Sequence, residues 1–292
     1  FCLQHDDDLL FGRDSNRVEV IQPQPHPVRQ MSSVLGRFIL DVGLDFYFDY
    51  NTGQPHLQFC RVQQVWISPG LVGSKSGFGN VFCESGCPNF FNLPTGGTAH
   101  HHFIFAASAP GVYVWDVCGV NAVARDGTPL QDMPYAYRVY MVAGNPLRLF
   151  GNVVAPNYQG NLYDLRLTVQ LRRNNAVVAQ STQPPNPTAI HTYMVGFNQP
   201  AGNYTVVAKL SKHLSRRVAN LSLSGARAHD WQFATPGDLN GDDRINNADL
   251  LIVLFAFGSN DSNADANGDG TVNNADLLLV LFNFGAVGEG AE

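Results

Sequence analysis

Asp238, Asn240, Asp242, Asn246 and Asp249 recur 27 residues later as Asp265, Asn267, Asp269, Asn273 and Asp276. The segments 237–258 and 264–285 read GDLNGDDRINNADLLIVLFAFG and ADANGDGTVNNADLLLVLFNFG, identical at 15 of 22 positions. The recurring side chains all end in oxygen, and they fall at positions 1, 3, 5, 9 and 12 of a loop of the calcium-binding kind. Position 7, Arg244 or Thr271, would add its backbone carbonyl. Three carboxylates with neutral oxygens suit a hard dication, so the pattern predicts two calcium ions, one per loop, with position 9 acting through a water. An acidic linker has no reason to repeat donors at matched spacing. Position 6 needs a sharp turn. Gly270 supplies it in the second loop, but Asp243 stands there in the first, which predicts a more strained first site. Without calcium the six carboxylates repel one another, so binding energy becomes folding energy.

Each loop runs into an apolar stretch, which must form one short helix starting near Asn247 or Asn274. Gly258 and Gly285 are natural stops. A loop, a single helix and a duplicated unit together resemble the type I dockerin repeat, over residues 238–285. The resemblance implies that the two helices pack together and that the pair docks onto a cohesin-like domain. The positions that read cohesin in that family usually carry a Ser/Thr pair just before loop position 12. They are Asn247-Ala248 and Asn274-Ala275 here.

Other residues invite chemistry less strongly. His100 and His102 alternate on one strand face and, with His56, form a possible second site for a transition metal, although strand histidines usually just pack or hydrogen-bond. Of five cysteines, Cys60, Cys83, Cys87 and Cys118 are disulfide candidates, with Cys83 and Cys87 close enough to close a small loop. Cys2 is the candidate for an intermolecular bridge or a free thiol. No CxxC suggests zinc. The sequence carries no GxSxG, HExxH, P-loop or dinucleotide fingerprint. Gly73–Gly79 lacks phosphate-loop spacing. A glycosidase needs two placed carboxylates. The body offers only Glu19 and Glu84, with Asp45 and Asp49 on one strand face. The reading is therefore not an enzyme.

The elements before residue 238 read as strands. Arg37–Tyr50 and His56–Trp66 alternate around an Asn51-Thr52-Gly53 turn, followed by Thr98–Ala106, Gly111–Val117 and Tyr137–Val142. Leu147–Val154, Asp164–Arg172, Ala176–Ser181, Thr192–Phe197, Gly202–Lys209 and Arg216–Leu223 follow at sandwich-like spacing. The fold class is mainly β, with two β-sandwich domains before a small α-helical pair. The expected divisions are an N-terminal arm (1–16), a sandwich (17–145), an immunoglobulin-like sandwich (146–234), the calcium pair (238–285) and a tail (286–292). The segment from Ala99-His100-His101-His102-Phe103 to Ala109-Pro110-Gly111-Val112-Tyr113 resembles bacterial surface-anchored domains of the choice-of-anchor M type. Ala201-Gly202-Asn203-Tyr204-Thr205-Val206 resembles a strand of carboxypeptidase-regulatory-like, immunoglobulin-like modules. Both imply a secreted, cell-surface setting.

Net charge is −6, but residues 1–237 carry about +3 and residues 238–292 carry −9. No basic face suits nucleic acid, and no apolar run approaches a membrane span. A start at Phe1 rather than Met fits a mature secreted chain. Three functions remain. The first is a self-assembling structural subunit of an extracellular filament, tube or surface layer, whose basic body meets an acidic tail head to tail and whose arm and tail are held by neighbouring copies. The second is an adaptor docking onto a cohesin-like partner. The third is a carbohydrate-active enzyme with an unrecognised site. The first is the leading expectation from sequence.

Overall fold

The structure is a computed structural model and describes residues 9–22, 28–46, 48–49, 54–55, 57–93, 101–187 and 191–291. It is mainly β, with two helices near the C-terminus. The chain divides into two compact units, Phe1–Pro146 and Leu147–Glu292.

The first unit is built on an eleven-stranded sheet. Along its path, strand 90–93 pairs with 57–67, then come 111–124, 137–143, 28–34, 37–46, 101–107, 72–75 and 79–82. Asn89 draws the two ends of this path together. In the left-handed conformation, its N–H donates to the Val81 carbonyl and its own carbonyl accepts from the Gln64 N–H. The alternating residues of the long strands face inward, as a two-residue period requires. Phe82, Phe103, Phe105 and Trp115 meet at the centre with ring centroids 4.7–6.2 Å apart. Asp116 and Arg138, on adjacent strands, form a buried bidentate ion pair at 2.7 Å through each nitrogen.

One expectation changes in this unit. Residues Leu9–Asp14 are not part of a free arm. They form a strand antiparallel to Arg17–Gln22 and parallel to Arg37–Phe46, with Leu9 and Phe11 fully buried. The Asn51-Thr52-Gly53 turn lies outside the described residues, but strands 48–49 and 54–55 flank it.

In the second unit, strands 192–197, 147–154 and 226–228 face strands 176–183, 167–173, 202–210 and 216–223. Leu149, Val169, Leu171, Tyr193, Tyr204, Val206, Trp231 and Phe233 fill the space between. The chain then pairs 236–238 with 212–213 and enters the calcium-loop segment. Helix α1 is Asn247–Phe255 and α2 is Asn274–Phe282. Their small core joins Ile245, Val253, Val272 and Val280 with Leu214 from the sandwich. By their contacts the sandwich, loops and tail lie in one compact unit.

Candidate calcium-binding and docking site

The two loops share most of their internal hydrogen bonds. At position 1, Asp238 accepts from the N–H groups of Gly241 and Asp243 through its two oxygens, and Asp265 accepts likewise from Gly268 and Gly270. At positions 3 and 5, Asn240 donates to Asp242 at 3.0 Å and Asn267 to Asp269 at 2.9 Å. At position 9, Asn273 also reaches Thr271 and Asp269. At position 12, one oxygen of Asp249 accepts from the N–H groups of Leu239 and Asn240, and Asp276 reaches Asn267 in the same way. Each loop is therefore closed into a ring by its own oxygen-bearing side chains.

Position 9 has a second task. Asn246 and Asn273 are the N-caps of α1 and α2, accepting from Ala248 and Ala275, while Asp249 and Asp276 bond back to the cap N–H groups. This reciprocal capping box is the N-x-x-D spacing present in both repeats. The same Asn and Asp that the sequence marks as calcium donors thus also start the helix.

The ring fits the ion that it implies. Asp238, Asp249 and Asp276 are completely buried, and Asp265 and Asn267 nearly so. Burial raises the pKa of Asp238, against the pull of Lys209. Buried carboxylates ask for a cation. Among the described residues, no three Asp, Glu, His or Cys side chains form a metal-holding cluster by themselves. A calcium ion would therefore draw on the Asn oxygens and the carbonyls of Arg244 and Thr271 as well as the carboxylates, which is how an oxygen site of six or more ligands is made. Asp238, Asn240, Asp242, Arg244, Asn246 and Asp249 would hold one ion, and Asp265, Asn267, Asp269, Thr271, Asn273 and Asp276 the other.

Asp243 explains why position 6 departs from glycine in the first loop. Its φ is +67°, a conformation that disfavours a side chain. Its carboxylate, however, accepts from the Ser215 N–H at 2.7 Å and the Ser215 hydroxyl at 2.5 Å, and lies 3.1 Å from the Lys209 ammonium. Burial alone would raise its pKa, but the Ser215 bonds and Lys209 together hold it below the usual carboxylate value. Lys209 also bonds to the Asp238 oxygen that faces Asp243 N–H. The second loop is braced by backbone contacts instead. Gln159 N–H donates to the Asn267 carbonyl and Lys212 to the Asp265 carbonyl, both at 2.6 Å. Sequence reading missed Lys209, Lys212 and Ser215, which carry no motif.

The C-terminal tail locks onto the same place. Gly288 N–H donates to the Asp243 carbonyl, Gly290 N–H to the Ser215 hydroxyl, and Arg172 to the Gly290 carbonyl. Glu289 pairs with Arg216 at 2.8 Å. A Cβ on Gly288 would strike the Asp243 carboxylate, so this close approach requires glycine. The expectation that neighbouring copies hold the tail is corrected here: residues 286–291 are held by their own unit.

The helices leave an apolar surface uncovered. On α1, Leu251, Leu254 and Phe255 are exposed, Phe255 at 86%; on α2 the equivalents are Leu278, Leu281 and Phe282, the last at 80%. Asn247-Ala248 and Asn274-Ala275 are exposed at the head of each stripe.

The remaining candidates behave differently. His56, His100 and Cys2 lie outside the described residues. His102 bonds to Asp41 at 2.9 Å, so the pairing seen at this position is with a carboxylate. Cys83 and Cys87 are bridged. Cys60 and Cys118 are free thiols, correcting the second expected bridge. Cys60 packs beside the inward face of Gly119, while Cys118, the residue just before Gly119, points to the other face by strand alternation. Burial pushes the two thiols up to about 12 and about 11, which disfavours their thiolate forms.

Among solved structures, one chain of a mutant type II cohesin–X–dockerin complex from Acetivibrio cellulolyticus is 20% identical, covering 48% of this chain and 97% of that one, with a TM-score of 0.37. The TIE protein of Bacillus anthracis is 8% identical over 72% of this chain and 39% of that one, at 0.23. The major pilin subunit of Bacillus cereus, in a variant form, is 9% identical over 71% and 67%, at 0.22. Scores this low carry no argument about this chain. No curated protein matches it. Residues 236–281 match the dockerin type I domain family, in the same segment as the two loops and helices described above.

Proposed function

We propose that this chain is a secreted, calcium-dependent docking protein, whose C-terminal dockerin module attaches the N-terminal β unit to a cohesin-like partner outside the cell. The observation that carries this reading is the duplicated stripe, Leu251, Leu254 and Phe255 matched by Leu278, Leu281 and Phe282, exposed on helices that the two loops initiate. A contiguous exposed apolar surface on a folded module is a mark of partner binding. The dockerin match supplies the class of partner. With Asn-Ala in place of a Ser/Thr pair, recognition rests on apolar contact more than on hydroxyl hydrogen bonds. The module is not catalytic, and the chain is read as a non-enzyme that displays its N-terminal unit.

A polymer is the weaker reading. Its argument needed neighbouring copies to hold the chain ends, and the tail is held within its own unit. The test is isothermal titration of the full chain against a panel of type I and type II cohesin domains, in calcium and after chelation. Binding in calcium that is lost on chelation, and lost in the combined Leu251→Asp, Leu278→Asp variant with its fold intact, supports docking. Failure to bind any cohesin in calcium would sink it.

A further inference from the structure

The N-terminal unit carries a pocket that docking does not use. It lies where strands 79–82 and 90–93 approach the start of strand 101–107. It encloses about 420 Å³, and among the described residues its walls are Phe78, Val81, Phe90, Phe91, Asn92 and His101. Pro88, which also lines it, directly follows the Cys83–Cys87 bridge, which fixes this loop. Cavities of roughly this size with mainly aromatic walls and few polar groups are the usual form of small-ligand sites.

A cation stands beside its aromatic wall. The Lys75 ammonium stands 5.8 Å from the Phe78 ring centroid and 5.7 Å from that of Phe91, both wall residues. The Arg61 guanidinium lies 4.6 Å over Phe90 and donates to Asn92 at 3.1 Å. No lining residue among those described is acidic, and no described carboxylate pairs with Lys75. Phe78 is 66% exposed, on the tip of the hairpin between strands 72–75 and 79–82. Aromatic walls with the Lys75 ammonium beside them favour an apolar body bearing a negative charge. A sugar suits the pocket less well, because its hydroxyls need many polar partners and, among the described residues, the wall's polar side chains are Asn92 and His101.

We propose that this pocket binds a small amphipathic carboxylate, with its apolar body against Phe78 and Phe91 and its carboxylate toward Lys75. The probes are phenylbutyrate and its neutral analogue phenylbutanol, titrated calorimetrically into the full chain. The expected result is one saturable site at which the acid binds about fivefold or more tighter than the alcohol, the scale of one partly exposed ion pair. Lys75→Gln should remove that advantage and Lys75→Arg keep it. Phe78→Ala should weaken both ligands. Both side chains are on the surface, and unchanged melting of the variants checks their fold. No saturable binding at millimolar acid would overturn the proposal. So would equal affinity for acid and alcohol, or wild-type behaviour of Lys75→Gln.

Discussion

At the scale of single residues, the first calcium loop depends on an exception. Asp243 takes a left-handed position, and three bonds to Ser215 and Lys209 offset the strain. Asp243→Gly relaxes the backbone but forfeits those bonds and leaves Lys209 with less neutralisation. Charge-assisted bonds of this kind contribute about 1.5–3 kcal/mol each before compensation. Asp243→Gly should therefore destabilise the C-terminal unit by about 1–2 kcal/mol, and Asp243→Ala by about 1 kcal/mol more, because alanine keeps the strain without the bonds. Urea melts in saturating calcium measure both, and a stabilised Asp243→Gly would refute the latch. The sequence showed the anomaly at position 6 but not its partner, because Ser215 lies 28 residues away in the sandwich. His213 was also silent in the sequence. It is fully buried against Tyr158 and Phe233. Burial pushes its pKa from 6.5 down to about 4; the Ser211 carbonyl opposes this, and Lys209 and Lys212 reinforce it. Below pH 6.5 the unfolded chain takes a proton that the folded chain refuses. Stability is thus complete above that pH and falls as pH drops toward 4, by about 3 kcal/mol at the limit. His213→Gln should flatten this part of the pH–stability curve; equal slopes for variant and wild type would show that another group is responsible.

At the scale of elements, each helix start is also a candidate metal ligand. Asn273 accepts from Ala275 while its amide touches Thr271 and Asp269. Removing an Asn cap costs about 1 kcal/mol, and Asn273→Ala removes a loop oxygen as well. The variant should therefore lose helical signal and calcium affinity together. Asn273→Ser, which still caps, should recover most of the helix. Far-ultraviolet circular dichroism during a calcium titration distinguishes the two effects. If Asn273→Ala kept wild-type affinity, position 9 would be a cap alone. These elements were legible in the sequence because the repeat fixed both boundaries: α1 and α2 begin at the expected Asn247 and Asn274. The strands Leu147–Val154, Thr192–Phe197 and Arg216–Leu223 also run as their alternation suggested. The hairpin of Leu9–Asp14 and Arg17–Gln22 was not legible. Its strands are short and interrupted by Asp14, Ser15 and Asn16, and Leu9 and Phe11 become core residues only through parallel pairing with Arg37–Phe46, which no local pattern encodes.

At the scale of the whole molecule, the two compact units should answer differently to calcium. In the C-terminal unit, the ammonium of Lys209, the Ser215 hydroxyl and the tail glycines join the first loop to the sandwich, while Gln159 and Lys212 join the second. Leu214 of the sandwich sits in the helical core. A ligand that binds only the folded state stabilises everything that unfolds with its site, by about 4 kcal/mol per site at a thousandfold excess over Kd. Calcium should therefore protect the sandwich strands along with the helices. The N-terminal unit, with its own aromatic core and its Asp116–Arg138 pair, contains neither loop. Scanning calorimetry should resolve two transitions, of which chelation lowers one by tens of degrees and leaves the other in place. Hydrogen exchange assigns them: Ser215, Arg217 and Gly290 amides should lose protection on chelation, whereas Asn89 and Val114 amides keep it. If the sandwich amides stayed protected while the helices melted, the bonds at Asp243 would be contacts between separate folding units. The calcium segment would then be an appendage of the sandwich and not part of its fold.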